Sequence, residues 1–357
     1  MTLMIKTFIL PLSEVITETP NAVTLVMDQP KVDRLNYLPG QYLTLKVEID
    51  GKIHWRSFSL SSTARLDRHL AITVKRVPGG LVSNHINDHF QKGQMIEFLK
   101  PSGHFTIETS IKNERNIALI GAGSGITPLM SILKAILFHE PKSKVALLYG
   151  NRDSDQVIFL EELQSLAKKF PNRLFLQNLL SNPKKGSHLS FKTGRINGST
   201  LDTWLNELAT HMKFIEAYYV CGPLGMMEST VQHLRGKGIS TEHILIEKFL
   251  AGPEMEERQS QAEGPTHRVS LRVGNESYEI KVPSGLSILS AALAQGISIP
   301  YSCRRGICST CMSKLIRGKV EMDNPESLLE FEVKQGKVLT CQAHPLDDEV
   351  EIEVGVW

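Results

Sequence analysis

Four cysteines near the C-terminal end have a spacing that can hold iron. Cys303, Cys308 and Cys311 fall within nine residues of one another, and 29 residues separate Cys311 from Cys341. A [2Fe–2S] cluster takes four thiolates, three from one tight loop and one from a distant segment. A disulfide framework would be unusual in a cytoplasmic protein. The spacing therefore predicts a metal centre with one-electron redox chemistry.

The residues between these cysteines suit a cluster better than they suit other metal centres. Gly306 is expected in a backbone shape that a Cβ would strain, so that nearby N–H groups can turn toward the sulfurs. Structural zinc usually shows two C-x2-C pairs, and here there is one. A Rieske centre needs two histidines, whereas only His344 follows Cys341 closely. Arg304 and Arg305 either face an acidic patch on a partner or form a solvated loop tip.

Two motifs in the middle of the chain could bind a nucleotide. The run Gly121-Ala122-Gly123-Ser124-Gly125 lies between an apolar strand and a helical stretch, where glycines admit a pyrophosphate and free N–H groups meet it. Such turns also occur for packing alone. Cys221-Gly222-Pro223 ends a later strand, so both motifs are expected to line one crevice beyond the carboxyl ends of a parallel sheet. Cys221 could also be an inert buried thiol.

The first segment offers a second set of ligand-binding candidates. Arg56-Ser57-Phe58-Ser59 supplies a cation for a phosphate, an aromatic face for a flat ring and a hydroxyl for a ring nitrogen. Gly79-Gly80-Leu81-Val82-Ser83 leads into a helical start and could cradle a phosphate. Without context, both would be surface polar residues and a turn.

The elements that must position these residues fall into three groups. Residues 1–110 show short β-like runs separated by turn signals, which predicts an antiparallel barrel or sandwich. Residues 111–250 alternate strands and helices, which predicts a doubly wound parallel sheet. Residues 251–266 have linker composition, with a long surface loop as the alternative. Residues 267–357 begin with two strands and a helix before the cysteine loop.

The predicted elements are defined by apolar periodicity and punctuation. The β runs of the first segment are Val23–Met27, Tyr42–Ile49, His54–Leu60, Leu70–Lys75 and Met95–Lys100. The strands of the second are Asn116–Ile120, Val145–Tyr149, Leu174–Leu180 and Ala217–Cys221, and its helices are Pro128–His139, Val157–Lys169, Thr200–Met212 and Met226–Arg235. The third segment has strands Arg268–Val273 and Tyr278–Val282 and helix Leu286–Ala294.

Composition limits the classes of function. The 357 residues carry a net charge of +2, which is too small to indicate nucleic acid or an anionic membrane surface as a partner. No apolar run approaches the length of a membrane span, and the N-terminal residues lack the pattern of a signal peptide. A cytoplasmic protein of two or three domains is the expectation.

Together, the motifs resemble the ferredoxin–NADP reductase superfamily over essentially the whole chain. The subgroup resembled is the fused reductases of bacterial oxygenases, in particular those of phenylacetyl-CoA epoxidase and 3-ketosteroid hydroxylase. The first two domains are also similar to the reductase region of flavohaemoglobins. The resemblance implies an antiparallel β-barrel FAD domain, an α/β doubly wound NAD(P)-binding domain, and a plant-type [2Fe–2S] ferredoxin domain of the α+β β-grasp class.

The resemblance also implies roles for individual residues. Arg56 would bind the FAD pyrophosphate, Phe58 would stack on the flavin, and Ser59 would reach flavin N5; Phe58 departs from the tyrosine of the family motif and lacks its hydroxyl. Ser59, Thr127 and Cys221 are the catalytic candidates for hydride transfer. For FAD, the other implied contacts are Tyr42 on the adenosine side, Thr73, Val74 and Lys75 along the ribityl chain and ring edge, and Gly80, Val82 and Ser83 at the pyrophosphate. For the nicotinamide nucleotide they are Gly121, Gly123, Gly125, Pro128, Gly222 and Pro223. Phe249, in Glu247-Lys248-Phe249, would lie beside the flavin, with ordinary core packing as the alternative.

The implied function is electron transfer from NAD(P)H through FAD and the cluster to an oxygenase or hydroxylase, one electron at a time. A mobile linker would let the ferredoxin domain move between the FAD domain and the acceptor. Arg152, after the second strand of the nucleotide domain, favours NADPH over NADH, although Asp153 and Asp155 weaken that signal. The alternatives are a stand-alone reductase of oxygen, quinone or haem acceptors and an iron–sulfur redox sensor.

Overall fold

The chain forms three domains in a computed structural model that describes residues 7–32, 34–184, 191–249 and 264–355. The N-terminal barrel consists of β1 (Thr7–Thr19), β2 (Ala22–Met27), β3 (Tyr42–Ile49), β4 (Lys52–Ser59), β5 (Leu70–Lys75), α1 (Leu81–His89) and β6 (Met95–Leu99). Its antiparallel strands follow the order β4-β3-β6-β1-β2-β5. A bridge between Leu60 and Ile72 joins the two edges, so the sheet closes into the predicted barrel.

The strand β1 was missing from the sequence prediction because Pro11 interrupts its apolar pattern. The structure places Pro11 where the strand changes partners: β1 pairs with β6 from Thr7 to Pro11 and with β2 from Leu12 onward. Proline lacks an N–H group and is tolerated where ladder pairing is interrupted. One long bent strand thus serves both halves of the barrel.

The second domain is the predicted doubly wound sheet. It contains β7 (Asn116–Ala122), α2 (Ile126–His139), β8 (Lys144–Asn151), α3 (Leu160–Lys169), β9 (Leu174–Leu180), β10 (Lys192–Thr193), α4 (Gly198–Leu208), β11 (Ala217–Gly222), α5 (Leu224–Gly236) and β12 (Ile244–Lys248). All strands are parallel in the order β10-β9-β8-β7-β11-β12. Separate apolar clusters cover the two faces of the sheet, as its continuous apolar strands require.

The C-terminal domain is a mixed sheet of the β-grasp type with the cysteine loop at one end. Its elements are β13 (Thr266–Val273), β14 (Glu276–Pro283), α6 (Ile288–Ala294), β15 (Met312–Arg317), β16 (Val320–Met322), α7 (Glu330–Lys334), β17 (Lys337–Leu339), β18 (Ala343–Pro345) and β19 (Val350–Val354). The main sheet has the order β14-β13-β19-β15-β17, and α6 buries Ile288 and Leu289 against it. The predicted linker, 251–266, lies outside the described residues except for its last three, and Thr266 already begins β13.

The three domains are joined in two different ways. Phe105 and Ile107 of the barrel belong to the same buried cluster as the strands and helices of the second domain. The rings of Phe105 and Tyr219 meet edge to face, with their centroids 5.3 Å apart. The core of the C-terminal domain, by contrast, contains only side chains from 269–354 among the described residues. None of the helices in the described ranges has both the length and the apolar character that a membrane crossing requires.

Candidate functional site

A cavity of about 250 Å³ lies where the three domains meet. Its walls come from the two strand motifs of the barrel, the nucleotide loop of the second domain and the cysteine loop. Among the residues singled out in the sequence, those that line it include Tyr42, Arg56, Phe58, Ser59, Thr73, Lys75, Ser83, Thr127, Glu247, Phe249, Cys303, Arg304, Arg305 and Cys308. Motifs that are more than 200 residues apart in sequence therefore share one site.

Strand alternation decides which barrel residues face the cavity. In β5, Thr73 and Lys75 line it, whereas the side chain of Val74, between them, is buried in the barrel core. In the segment that begins α1, Ser83 faces the cavity and Val82 packs into the core. Val74 and Val82 can therefore meet a ligand only through their backbone.

The first turn of α1 packs closely around Gly80. A Cβ on Gly80 would lie 2.8 Å from Ser83 Oγ and 2.9 Å from Val77 Cβ. The Ser83 hydroxyl in turn accepts a hydrogen bond from the Val77 N–H at 3.1 Å. Only glycine leaves this turn open, so that the free N–H groups of the helix end remain available to an anion.

Tyr42 lies at the end of the cavity nearest the cysteine loop. It pairs with Ser59 across the β3–β4 ladder, and a Cβ on Gly103 would lie 2.9 Å from its ring. Burial and the neighbouring Cys308 sulfur raise the pKa of Tyr42. The adenosine contact implied for Tyr42 remains a prediction.

Ser59 and Glu247 form a polar pair on the cavity wall. Ser59 Oγ donates a hydrogen bond of 3.0 Å to Glu247 Oε2. Desolvation raises the pKa of Glu247 to about 8, and the Ser59 hydroxyl offsets part of that rise. At neutral pH the Ser59–Glu247 pair therefore holds a proton beside the position implied for the flavin ring.

Replacing Glu247 by glutamine is expected to change how stability depends on pH. Between pH 4.5 and about 8 the folded protein keeps a proton that the unfolded chain has released, so rising pH lowers the free energy of unfolding. Glu247→Gln should flatten this slope, as measured by denaturant unfolding at several pH values. Glu242→Gln, at an exposed carboxyl before β12, is the control; equal slopes in the wild type and Glu247→Gln would contradict the prediction.

The nucleotide loop is held by two close contacts. Gly123 has a φ of +56°, and its carbonyl accepts a hydrogen bond of 3.0 Å from the buried Tyr149 hydroxyl. A Cβ on Gly125 would lie only 2.1 Å from the carbonyl oxygen of Cys221. The two sequence motifs therefore touch, as predicted for one crevice. Gly121 lies deeper, where a Cβ would meet the flexible side chain of Leu129 at 2.6 Å.

Cys221 is fully buried at the end of β11, directly opposite Glu247 of β12 in the ladder. Burial raises the pKa of the Cys221 thiol well above its ordinary value, and the Glu247 carboxyl adds to that rise. The thiol is therefore neutral and a poor nucleophile. Its role in hydride transfer remains a prediction, as does that of Thr127, which donates a hydrogen bond of 3.0 Å to the carbonyl of Ser124.

The remaining nucleotide candidates differ in exposure. Pro128 is buried within α2, Gly222 is buried at the end of β11, and Pro223 is exposed before α5. Arg152 is exposed immediately after β8. The acidic residues that follow are engaged locally: Asp153 accepts a hydrogen bond of 3.1 Å from the Asp155 N–H, and Asp155 pairs with Lys184.

The four cysteines predicted to bind the cluster interact as two pairs, Cys303 with Cys308 and Cys311 with Cys341. The N–H groups of Cys303 and Arg305 point at sulfurs, at 3.3 Å from Cys308 Sγ and Cys303 Sγ respectively. The bond with Cys308 and the surrounding N–H groups lower the pKa of Cys303 to about 6, toward the thiolate form that binds metal.

The backbone of this loop meets the expectation for Gly306. Its φ is +74°, and a Cβ would lie 1.8 Å from the carbonyl oxygen of Asn324. His344 is turned away from metal binding: its ring nitrogens lie 3.1 Å from the Leu286 carbonyl and 3.0 Å from Asp323 Oδ2. Two pairs of cysteines, with N–H groups aimed at the sulfurs of the first pair, fit a two-iron cluster that takes one pair for each iron.

Some residues of the site carried only weak signals in the sequence. Glu247 was noted only as the first residue of Glu247-Lys248-Phe249, and nothing in the sequence indicated that it would accept a hydrogen bond from Ser59. Tyr149 appeared only as the end of an apolar strand. Tyr301 and Ser302, which line the cavity beside Cys303, had no motif. These residues contribute to the site through contacts with segments distant in sequence, and apolar periodicity carries no information about such contacts.

The described residues fit the cofactors that the motifs imply. The cavity is lined by an aromatic ring (Phe58), a hydroxyl–carboxyl pair (Ser59–Glu247), two cations (Arg56 and Lys75) and Ser83 of the first turn of α1. This is the donor set for a flat ring joined to a pyrophosphate. The cysteine loop, with paired thiols and aligned N–H groups, fits an iron–sulfur cluster.

Three family models match consecutive parts of the chain. They describe an oxidoreductase FAD-binding domain at residues 10–107, an oxidoreductase NAD-binding domain at residues 119–232 and a 2Fe-2S iron–sulfur cluster binding domain at residues 271–346. The cavity is lined by residues from all three matched regions.

Relatives match this chain over nearly its whole length. The chain is 34% identical to one of the subunits of 1,2-phenylacetyl-CoA epoxidase of Escherichia coli K12, over 96% of both chains. It is also 34% identical to the ferredoxin reductase component of 3-ketosteroid-9-alpha-monooxygenase of Rhodococcus rhodochrous, over 98% of this chain and 97% of the relative. Phthalate dioxygenase reductase has the same fold, with a TM-score of 0.57, 22% identity and 98% of both chains covered.

Proposed function

We propose specific roles for the residues of this chain, which belongs to the family of reductase components that pass electrons from NAD(P)H to oxygenases. The chain is an NAD(P)H-dependent flavin and iron–sulfur oxidoreductase. FAD, when bound, would supply the exchange between two-electron and one-electron chemistry, and a [2Fe–2S] cluster would supply one-electron transfer. The contribution of the protein is to bind, orient and shield these groups.

The residues of the barrel would hold and orient FAD. Arg56 and the open start of α1 at Gly80 would bind the pyrophosphate, and Phe58 and Phe249 would pack against the ring. Ser59 would place its hydroxyl at flavin N5. The Glu247 carboxyl, which accepts a hydrogen bond from Ser59, would hold a proton at neutral pH because its pKa is raised to about 8.

The nucleotide loop would bring the nicotinamide to the flavin. Gly123 and Gly125 let the backbone approach the pyrophosphate, and the Tyr149 hydroxyl fixes the loop through the Gly123 carbonyl. Thr127 and Cys221 lie at the end of this crevice and would exclude water from the hydride path. Their neutral side chains add no charge to the site.

The acceptor would be the oxygenase component of a pathway that degrades aromatic or steroid compounds, phenylacetyl-CoA among them. This finer assignment is supported by the names of the whole-chain relatives. The protein would be located in the cytoplasm, where NAD(P)H is available.

The observation that supports the electron path most directly is the shared cavity, which has both the flavin motif and Cys303 and Cys308 in its wall. An anaerobic titration with NADPH, followed by visible spectroscopy, tests it. Bleaching of both flavin and cluster bands, followed by reoxidation on adding an oxygenase component, is expected. Flavin bleaching without cluster bleaching would contradict the path, and faster turnover with oxygen or quinone than with any oxygenase would favour a stand-alone reductase.

NADPH is the proposed donor because Arg152 remains available after β8 while Asp153 and Asp155 are engaged elsewhere. A 2′-phosphate would pair with its guanidinium. Arg152→Glu should lower the NADPH/NADH ratio of kcat/KM by roughly 10- to 100-fold, the scale of a charge-assisted hydrogen bond. Arg235→Glu, at an exposed arginine of α5, controls for general charge effects; an unchanged ratio in Arg152→Glu would contradict the assignment.

A further inference from the structure

The contact between the barrel and the cysteine loop is made by hydroxyl groups. Thr44 Oγ1 lies 3.2 Å from Thr310 Oγ1, at a buried position. Ser57 Oγ lies 3.2 Å from Ser302 Oγ and 3.3 Å from Thr310 Oγ1. The backbone N–H of Ser57 also donates to Ser302 Oγ, at 3.2 Å. These four residues are called the hydroxyl seat below.

The seat connects the two redox sites by short lengths of chain. On the barrel side, Ser57 lies between Arg56 and Phe58 of the flavin motif, and Thr44 is its ladder neighbour across β3 and β4. On the other side, Ser302 immediately precedes Cys303, and Thr310 lies between Cys308 and Cys311. Any shift of these hydroxyls therefore moves a cluster ligand relative to the flavin strand.

The seat is a polar contact without a shared apolar core. Among the described residues, no side chain of the barrel or the second domain enters the core of the C-terminal domain. Two further polar contacts join the C-terminal domain to the other domains: the ion pair of Lys248 with Glu326 at 2.6 Å, and the contact of His104 Nε2 with Glu332 Oε2 at 3.4 Å. Partly exposed pairs of this kind contribute little and weaken with salt. The domains can therefore separate without exposing a large apolar surface.

We propose that Thr44, Ser57, Ser302 and Thr310 form a releasable seat that sets the distance between flavin and cluster. The proposal rests on the proposed function, since the distance matters only if electrons pass from one group to the other. The four residues act as positioning residues. A hydroxyl network suits this task because its geometry is directional, while each bond exchanges readily with water.

Thr44 and Thr310 provide the test, because Thr→Val removes the hydroxyl and keeps the shape. After rapid mixing with NADPH, the absorbance bands of the flavin and the cluster are followed together. Reduction of the flavin (the flavin phase) and reduction of the cluster (the cluster phase) are then timed separately. In Thr44→Val the flavin phase should be unchanged and the cluster phase about two- to fivefold slower, the scale of one net hydrogen bond. Thr44→Ser should restore the wild-type rate, and Thr203→Val on α4, whose hydroxyl bonds within its own helix, is the matched control.

The double variant Thr44→Val/Thr310→Val makes the test specific. Both substitutions remove the Thr44–Thr310 hydrogen bond, and each also removes one bond to Ser57 Oγ, at 3.0 Å from Thr44 and 3.3 Å from Thr310. Because one bond is shared, the effects of the two substitutions should be less than additive in the double variant. Equal cluster phases in all variants, or fully additive effects, would overturn the proposal. Because Thr44 lies outside the cysteine loop, slower transfer in Thr44→Val cannot arise from a lost cluster ligand.

Hydrogen–deuterium exchange gives a second readout that does not depend on turnover. The Ser57 amide is protected by Ser302 in the seated arrangement. Ser302→Ala should raise exchange in 52–59 and leave α4 unchanged. Unaltered exchange in 52–59 would overturn the seat even if the electron path were intact. Conversely, if the wild type shows no cluster phase at all, the proposed function fails and this exchange experiment still decides the seat.

Discussion

A Cys308→Ser variant is expected to lose transfer to the oxygenase while keeping hydride entry. Cys308 pairs with Cys303, and removing one thiolate leaves an iron without its ligand set. The flavin cavity is bounded by this loop but built mainly from the other two domains. Reduction of the flavin by NADPH should therefore continue, and oxygenase-coupled turnover should fall to background. The measurement is the visible spectrum and iron content, together with coupled and uncoupled rates.

Ser313→Ala is the control for this variant, because Ser313 is buried on β15 just after the cysteine loop and its hydroxyl donates a hydrogen bond of 3.2 Å to the Cys311 carbonyl. It should retain the cluster band. A Cys308→Ser protein with full iron content and normal coupled turnover would rule out Cys308 as a ligand. Loss of flavin reduction as well would show that the C-terminal domain supports FAD binding directly.

The second large effect is expected at Gly125. A Cβ there would lie 2.1 Å from the Cys221 carbonyl oxygen and 2.7 Å from the Gly222 nitrogen, and backbone atoms cannot turn aside as a side chain can. Gly125→Ala should push the nucleotide loop away from β11. Overpacking of this kind costs about 1–3 kcal/mol, so kcat/KM for NADPH should fall about 10- to 100-fold.

The matched control is Gly225→Ala in α5, three residues beyond Gly222. A Cβ at Gly225 meets nothing within 4 Å, and alanine favours a helix over glycine by roughly 1 kcal/mol. That variant should be as active as the wild type and slightly more stable to denaturant. The prediction would be wrong if Gly125→Ala matched Gly225→Ala in kcat/KM.

Sequence reasoning worked best where the chemistry is local. Three of the four cysteines fall within nine residues and the glycine-rich turn within five, and the parallel strands follow from continuous apolar runs. The Asp50-Gly51 signal between β3 and β4 is a turn with both φ angles positive, at 51° and 72°. The three-domain fold class was therefore predictable, and the family comparisons confirm it.

The sequence was less informative about contacts between distant segments. Strand β12 was not predicted, because only a short apolar segment, Ile244–Ile246, marks it, yet it places Glu247 opposite Cys221. Val74 and Val82 were named with their motifs, but alternation and helix phase turn both side chains into the core. Ser57 and Ser302 are 245 residues apart, and no local pattern links them.

The closed core of the C-terminal domain has a consequence for how such chains arise. A unit that buries its own apolar residues can be joined to, or detached from, another gene without repacking either product. The barrel and the nucleotide domain, which share Phe105 and Ile107 in one cluster, must instead be inherited together. Recombination between reductases should thus break the chain near residue 264 far more often than near residue 110.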